Sequence, residues 1–277
     1  MPASSVDSDK AFTGAIPALY DRHLGPMLFK PYAADLAARV ARLDVTRVLE
    51  TAAGTGIVTR ALHKSLPAGA SIVATDLNQA MLDHARAQLE ADNVAWRQAD
   101  ATALPFDDGS FDAVICQFGV MFFPDKSMGF REAHRVLRPG GTHIFNVWDR
   151  IEANEPSFVV NNAVASLFPE NPPQFLKRTP HGYHEIGAIR DELAQAGFGG
   201  IEVQTVEQRG RASSHRDPAI GFCLGSPLRS EIETRDPAQL DHAVECAAAA
   251  LATRFGEGPI EYGTGEPGRV SDVIWLR

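Results

Sequence analysis

A short apolar strand that runs into a glycine turn constrains this chain more than any other segment. Val45, Val48 and Leu49 predict a buried strand, Glu50 ends it, and Gly54-Thr55-Gly56 turns the chain into a helix over Ile57 to Leu66. Such a turn lets backbone approach a ligand closely, with helix N–H groups pointing at it. A dinucleotide-binding turn asks for Gly or Ala three residues after its second glycine; this chain has Thr59 there. No Lys-Ser/Thr pair directly follows either glycine, which excludes a triphosphate loop.

The pattern then repeats. Ile72 to Asp76 reads as a second strand and Gln79 to Asp92 as a helix. Val94 to Asp100 reads as a third strand and Phe111 to Gln117 as a fourth, followed by a helix to Leu137. Arg138-Pro-Gly-Gly141 is a helix stop and turn before a fifth strand, Thr142 to Trp148. Glu185 to Ala196 is a helix, and Ile201 to Val206 and Val270 to Leu276 complete the strands. Alternation on this spacing predicts a doubly wound, mostly parallel seven-stranded α/β sheet covered on both faces. Residues 1–43, 151–184 and 212–268 depart from it and read as helical cap elements of a single domain, 1–277. In an open parallel sheet, ligands bind beyond the carboxyl ends of the strands, where this chain places Glu50, Asp76 and Asp100. A lone strand-end acid usually caps the next helix, but three behind a glycine turn point to a ligand.

A net charge of −9 over 277 residues argues against a nucleic-acid footprint, which needs clustered Lys and Arg. Cys116, Cys223 and Cys246 follow no metal-ligand spacing and read as small buried hydrophobes, so no metal is expected. The first ten residues have no apolar signal-like run, and no stretch has membrane-spanning length. The expectation is a cytoplasmic protein, monomer or homodimer, with a small-molecule partner.

The motifs Val48 to Gly56, Ala74 to Leu82, Ala99 to Phe106 with Gly109 to Asp112, and Arg135 to Gly141 fall in one order and spacing. Together they resemble the class I S-adenosylmethionine (SAM)-dependent methyltransferases, in particular the small-molecule type related to ubiquinone and sterol methyltransferases. The resemblance covers about 45 to 149. It implies a Rossmann-like methyltransferase fold, SAM as cofactor and S-adenosylhomocysteine as product. It also implies that Glu50, Ala52 and Gly54 line the methionine end of the cofactor, with Gly56 among the cofactor-binding residues. Asp76 and its neighbour Leu77 then hold the ribose, Met81 covers the adenine, and Asp100 with Ala101 meets its amino group. Gln117 faces the sulfonium region. Apart from the resemblance, Tyr20, with Phe29 and Tyr32, is a candidate to close the site from the N-terminal helix. Ala52 departs from the glycine of many relatives, and a negative φ there is expected to tolerate its methyl.

Many relatives carry His where this chain has Met121 or Phe122, so the loop after the fourth strand offers an apolar wall and no base. Met121, Phe122, Trp148 and Tyr183 are the expected acceptor pocket. His181-Gly-Tyr-His184, on a loop after the cap, supplies the candidate general base, His181 or His184; His143 reads as a hydrogen-bonded sheet residue. Asn171-Pro-Pro-Gln174 looks like the motif of methyltransferases acting on planar amino groups, but follows the fifth strand and lacks the aromatic, which argues against that activity. The expected function is methyl transfer to a small organic acceptor, aromatic or secondary-metabolite in kind. The alternatives are a SAM-binding regulator without catalysis and a methyltransferase acting on a macromolecule.

Overall fold

In the computed structural model, residues 12, 14–262 and 272–276 are described. The chain divides into two compact units, one of residues 1–31, 148–183 and 207–270 and the other of 32–147, 184–206 and 271–277.

The second unit is the sheet. Its parallel core is β1 (Arg47–Glu50), β2 (Ser71–Asp76), β3 (Val94–Gln98), β4 (Phe111–Gln117) and β5 (Leu137–Val147), in the order β3-β2-β1-β4-β5. Two strands extend the β5 edge: β9 (Asp272–Leu276) pairs antiparallel with β5, and β6 (Glu202–Thr205) pairs antiparallel with β9. The expected seven-stranded, mostly parallel sheet is thus present, as five parallel strands with a two-strand antiparallel flank. A strand buried on both faces reads as a continuous apolar run. β4 shows this, with Phe111, Ala113, Val114, Ile115 and Cys116 all fully buried. The expected strand start at Val270 lies outside the described residues.

Helices α2 (Lys30–Val40), α3 (Ile57–Ser65), α4 (Gln79–Gln88), α5 (Lys126–Val136) and α8 (Ile186–Gln195) belong to this unit apart from the first two residues of α2. α5 begins on Asp125, whose side chain accepts from the Met128 N–H at 2.8 Å, and so satisfies an otherwise unpaired amide of the first turn. Asp112 locks the start of β1 to β4. Its Oδ2 accepts from the backbone N–H groups of Thr46 and Arg47 and from the Thr46 hydroxyl, and its Oδ1 meets Arg138 at 2.8 Å.

The first unit is mainly helical. It holds α1 (Ile16–Leu19), a π-helical stretch Tyr20–Phe29, α6 (Glu155–Ser166), α7 (Phe175–Arg178), α9 (Arg216–Leu224), α10 (Leu228–Arg235) and α11 (Leu240–Phe255). Strands β7 (Gly210–Ala212) and β8 (Ile260–Tyr262) pair antiparallel beside them. Leu24, Met27, Val160, Phe222 and Leu251 are buried in it. Residues 12 and 14–31, 151–183 and 212–262 of the cap segments fall here; 32–43 and 184 fall in the sheet unit, and 1–11, 13 and 263–268 lie outside the described residues.

Candidate functional site

The carboxyl ends of β1 and β2 and the glycine turn between β1 and α3 form one constellation. Glu50 ends β1 at 1% exposure, and its Oε2 accepts the Thr59 hydroxyl at 2.6 Å. Thr59 is the residue that breaks the dinucleotide pattern, so that departure has a structural use. Burial pushes the Glu50 carboxyl up to about 8, against the Thr59 hydrogen bond, while the neighbouring Asp76 charge adds to the rise.

Asp76 ends β2 and is buried. Its Oδ2 accepts from the Gly54 N–H and its Oδ1 from the Asn78 N–H, each at 2.8 Å. Burial raises its proton affinity, and the backbone N–H groups of Asn78 and Gly54 oppose the rise. The Asn78 side-chain amide stands a further 3.5 Å from Oδ1. No Lys, Arg or His among the described residues forms an ion pair with Glu50 or Asp76.

The turn itself is left-handed at three positions, with φ of +52° at Ala52, +55° at Gly54 and +76° at Gly56. The negative φ expected at Ala52 is therefore corrected. The Thr51 N–H donates to Ile115 O and the Ala53 N–H to Thr75 O, at 2.8 and 2.9 Å. Neighbouring amides that bond to strands on opposite sides force the residue between them to reverse hand, and the methyl sits in the sparsely populated region. Gly54 has open space where a Cβ would stand, whereas a Cβ on Gly56 would meet the Trp96 ring at 2.9 Å. Backbone can therefore touch a ligand at Gly54, while Gly56 is glycine for packing.

The third expected acid behaves differently. β3 stops at Gln98, so Asp100 is not a strand-end residue. It is exposed, and its Oδ1 accepts from the N–H and hydroxyl of Thr102 at 2.8 and 2.7 Å. Beside the acids, Met81 is buried at 3%, Leu77 is 45% exposed and Ala101 is half-buried.

At the end of β4, Gln117 is half-buried and Phe118 takes φ +51°, which is rare for a bulky side chain. The Phe118 N–H is shared between Asn146 O and Oδ1, at 3.1 and 2.9 Å. Sequence reasoning missed this turn. Gly119 hints at it, but the left-handed residue is the one before the glycine. A Cβ on Gly119 would stand 2.5 Å from the Ala52 methyl, so the two left-handed turns are in contact. Met121 is buried and Phe122 half-buried in the short 3-10 turn Val120–Phe122 that follows. His143 corrects its expectation too: its Nδ1 is buried without a hydrogen-bond partner among the described residues, amid the rings of Phe130, Phe145 and Phe198.

In the first unit, Tyr20 stacks on Phe29 at 4.7 Å, and Trp148 lies 6.2 Å from both Phe29 and His181. Three residues singled out from sequence, Tyr20, Trp148 and His181, thus share one row of rings with Phe29. His181 is buried, and its Nδ1 lies 2.8 Å from Asp149 O. Tyr183 is half-buried in this unit. His184 begins the next segment of the sheet unit, 3.3 Å from the exposed Glu185 carboxylate.

Along β6 runs a separate cleft of about 710 Å³, lined by Arg39, Arg42, Arg190, Asp35 and Glu202 among others. Arg39 is already held there by Asp35 and Gln204, at 2.6 and 2.8 Å. Among the described residues no group of His, Cys, Asp and Glu has metal-ligand geometry, and no helix is long and apolar enough to cross a membrane.

Residues 49–145 match the model of a methyltransferase domain. A demethylmenaquinone methyltransferase of Clavibacter sepedonicus is 46% identical over 103 residues, which is 37% of this chain and 41% of that protein. A ubiquinone/menaquinone biosynthesis C-methyltransferase of Hahella chejuensis is 43% identical over 98 residues, 34% and 39% of the two chains. The chain therefore spans about two fifths of these curated relatives. Among solved structures, phosphoethanolamine N-methyltransferase 2 of Haemonchus contortus, in complex with SAM, superposes with a TM-score of 0.62 at 16% identity. The match covers 99% of this chain and 60% of that one, and it shows the fold alone. Glu50, Asp76 and the glycine turn thus lie inside the segment, 49–145, that matches the methyltransferase-domain model and is similar to methyltransferases of ubiquinone and menaquinone biosynthesis.

Proposed function

We propose that this chain transfers a methyl group from SAM to a small organic acceptor. The observation that carries the reading is the pair of buried carboxylates, Glu50 and Asp76, beneath a left-handed glycine turn, neither of them in an ion pair among the described residues. A ligand that brings its own ammonium and two vicinal hydroxyls fits that arrangement. SAM has both, and Gly54 leaves room for its close approach. Asp76 takes the ribose hydroxyls, Met81 covers the adenine, and Asp100 with Ala101 meets the adenine amino group. Glu50, Ala52 and Gly54 line the methionine end, with Gln117 toward the sulfur.

When bound, SAM supplies the activated methyl group; the protein positions the acceptor in line and excludes water. The wall of Phe118, Val120, Met121 and Phe122 is apolar and suits an aromatic ring or another flat apolar metabolite. The relatives named for demethylmenaquinone and for ubiquinone and menaquinone biosynthesis support a ring acceptor. Where the acceptor must lose a proton, His181 is the base of choice. Its Nδ1 lies 2.8 Å from Asp149 O, a hydrogen bond that orients the ring.

Titration calorimetry tests the reading. SAM and S-adenosylhomocysteine should each bind at one site per chain, and NAD should give no heat. Binding of NAD with neither of the other two overturns it. His181→Ala should leave cofactor affinity intact while kcat falls ~10²–10⁴-fold for a hydroxyl acceptor.

A further inference from the structure

Glu50 differs from every other acid at the strand ends. It is closed off from solvent, and among the described residues its carboxyl is met by Thr59 alone, through the neutral hydroxyl at 2.6 Å and the backbone N–H, with no ion pair to it. The charged and titratable groups around it come from three elements. Asp76 faces it from β2 and disfavours a second negative charge, Arg60 acts weakly from α3, and the Cys116 thiol lies on β4. The Arg60 guanidinium is itself drawn to Thr55 O at 2.7 Å. A carboxylate so placed lacks the solvation that would hold its charge.

We infer that Glu50 carries a proton in the ligand-free protein and releases it when the ammonium of the ligand's amino-acid end arrives, so that cofactor binding and proton release are one event. This rests on the SAM reading above and deepens it, because it makes Glu50 the residue that selects for a cationic amino-acid end. The proton balance is simple. The neutral carboxyl loses its proton to buffer as the carboxylate takes the ammonium as its partner, and no other bond changes.

Two consequences follow from linkage. An incoming cation favours the charged carboxyl, so affinity rises with pH up to the point where free Glu50 is already ionised, near pH 8. The rise is at most tenfold per pH unit for one proton. A ligand with the same adenosine but no amino-acid end gains nothing from it.

The test uses S-adenosylhomocysteine and 5′-methylthioadenosine, which lacks the amino-acid end, in buffers of differing ionisation enthalpy at pH 6.5. The parent should release close to one proton with S-adenosylhomocysteine and none with methylthioadenosine, and E50Q should release none with either. Thr59→Val is the second variant. It removes the hydroxyl that steadies the charge, so its proton release should persist to higher pH than the parent's. Heats independent of buffer for the parent, or equal proton release in E50Q, overturn the inference. If neither adenosine ligand binds the parent, the cofactor reading itself fails. If both bind without proton exchange, that reading survives and only Glu50's role falls.

Discussion

At the scale of single residues, the site is built on two left-handed turns that touch. Ala52 at φ +52° and Phe118 at φ +51° each hold a conformation that costs a non-glycine residue about 1–2 kcal/mol. The neighbouring hydrogen bonds sustain both, through Thr51 and Ala53 on one side and Asn146 on the other. Gly119 lies between them with no room for a side chain, since an added Cβ would stand 2.5 Å from the Ala52 methyl and 2.7 Å from Cys116 Sγ. Gly119→Ala should therefore destabilise the protein by ~1–3 kcal/mol, the range for overpacking. Adding Ala52→Gly should recover part of that loss, because it removes one of the two clashes and a strained methyl. Chemical denaturation of the two single variants and the double variant measures this. Strictly additive effects would show that the turns do not communicate.

At the scale of elements, the register of β1 against β4 depends on Asp112. Burial alone would push its carboxyl up, but the Thr46 and Arg47 N–H groups, the Thr46 hydroxyl and Arg138 outweigh it and hold it below the ordinary range. Asp112→Ala removes the acceptor of the two amides at the head of β1, on the exposed residues Thr46 and Arg47, a cost of ~0.5–1.5 kcal/mol for each hydrogen bond lost. Urea unfolding should show that loss, and a variant as stable as the parent refutes the clamp. Asp112 also stands in the matched motif Gly109 to Asp112, so its position was legible in sequence though its bonds were not. The same holds more widely. The spacing gave β4 to the residue, because a run of apolar side chains bounded by Gly109 and Gln117 has no other solution in a covered sheet. β3 ended two residues early because Asp100 prefers to bond its own neighbour Thr102, a local side-chain option that no periodicity encodes. The hand of Ala52 and Phe118 depends on which strand each adjacent amide meets, and that is fixed only once the sheet exists.

At the scale of the whole molecule, buried titrating groups shape stability against pH. Burial depresses His143 to about 3 in the folded protein, against 6.5 for the ordinary side chain. Between those values the unfolded chain binds a proton that the folded one refuses, so stability rises with pH through the window and is fully present above about 6.5. His143→Phe should flatten that limb. The stability difference between parent and variant should change by ~1.4 kcal/mol per pH unit across the window and stay constant above it. Thermal or urea unfolding at a series of pH values reads this, and parallel curves for the two proteins would count against it. Glu50 acts in the opposite sense, since its raised proton affinity is a source of stability lost as pH climbs from 4.5 toward 8.

The strand order also carries a consequence for how the chain is made. β6 is joined to the sheet through β9, which stands between it and β5, and the whole of 207–270 separates the two in sequence. On a ribosome β6 therefore emerges long before the strand that will dock it. The nascent chain must carry an unpaired edge through the synthesis of an entire helical segment, a delay in which non-local pairing is slow and exposed edges invite association. That brevity of β6, four residues with alternating exposure, keeps the waiting edge short.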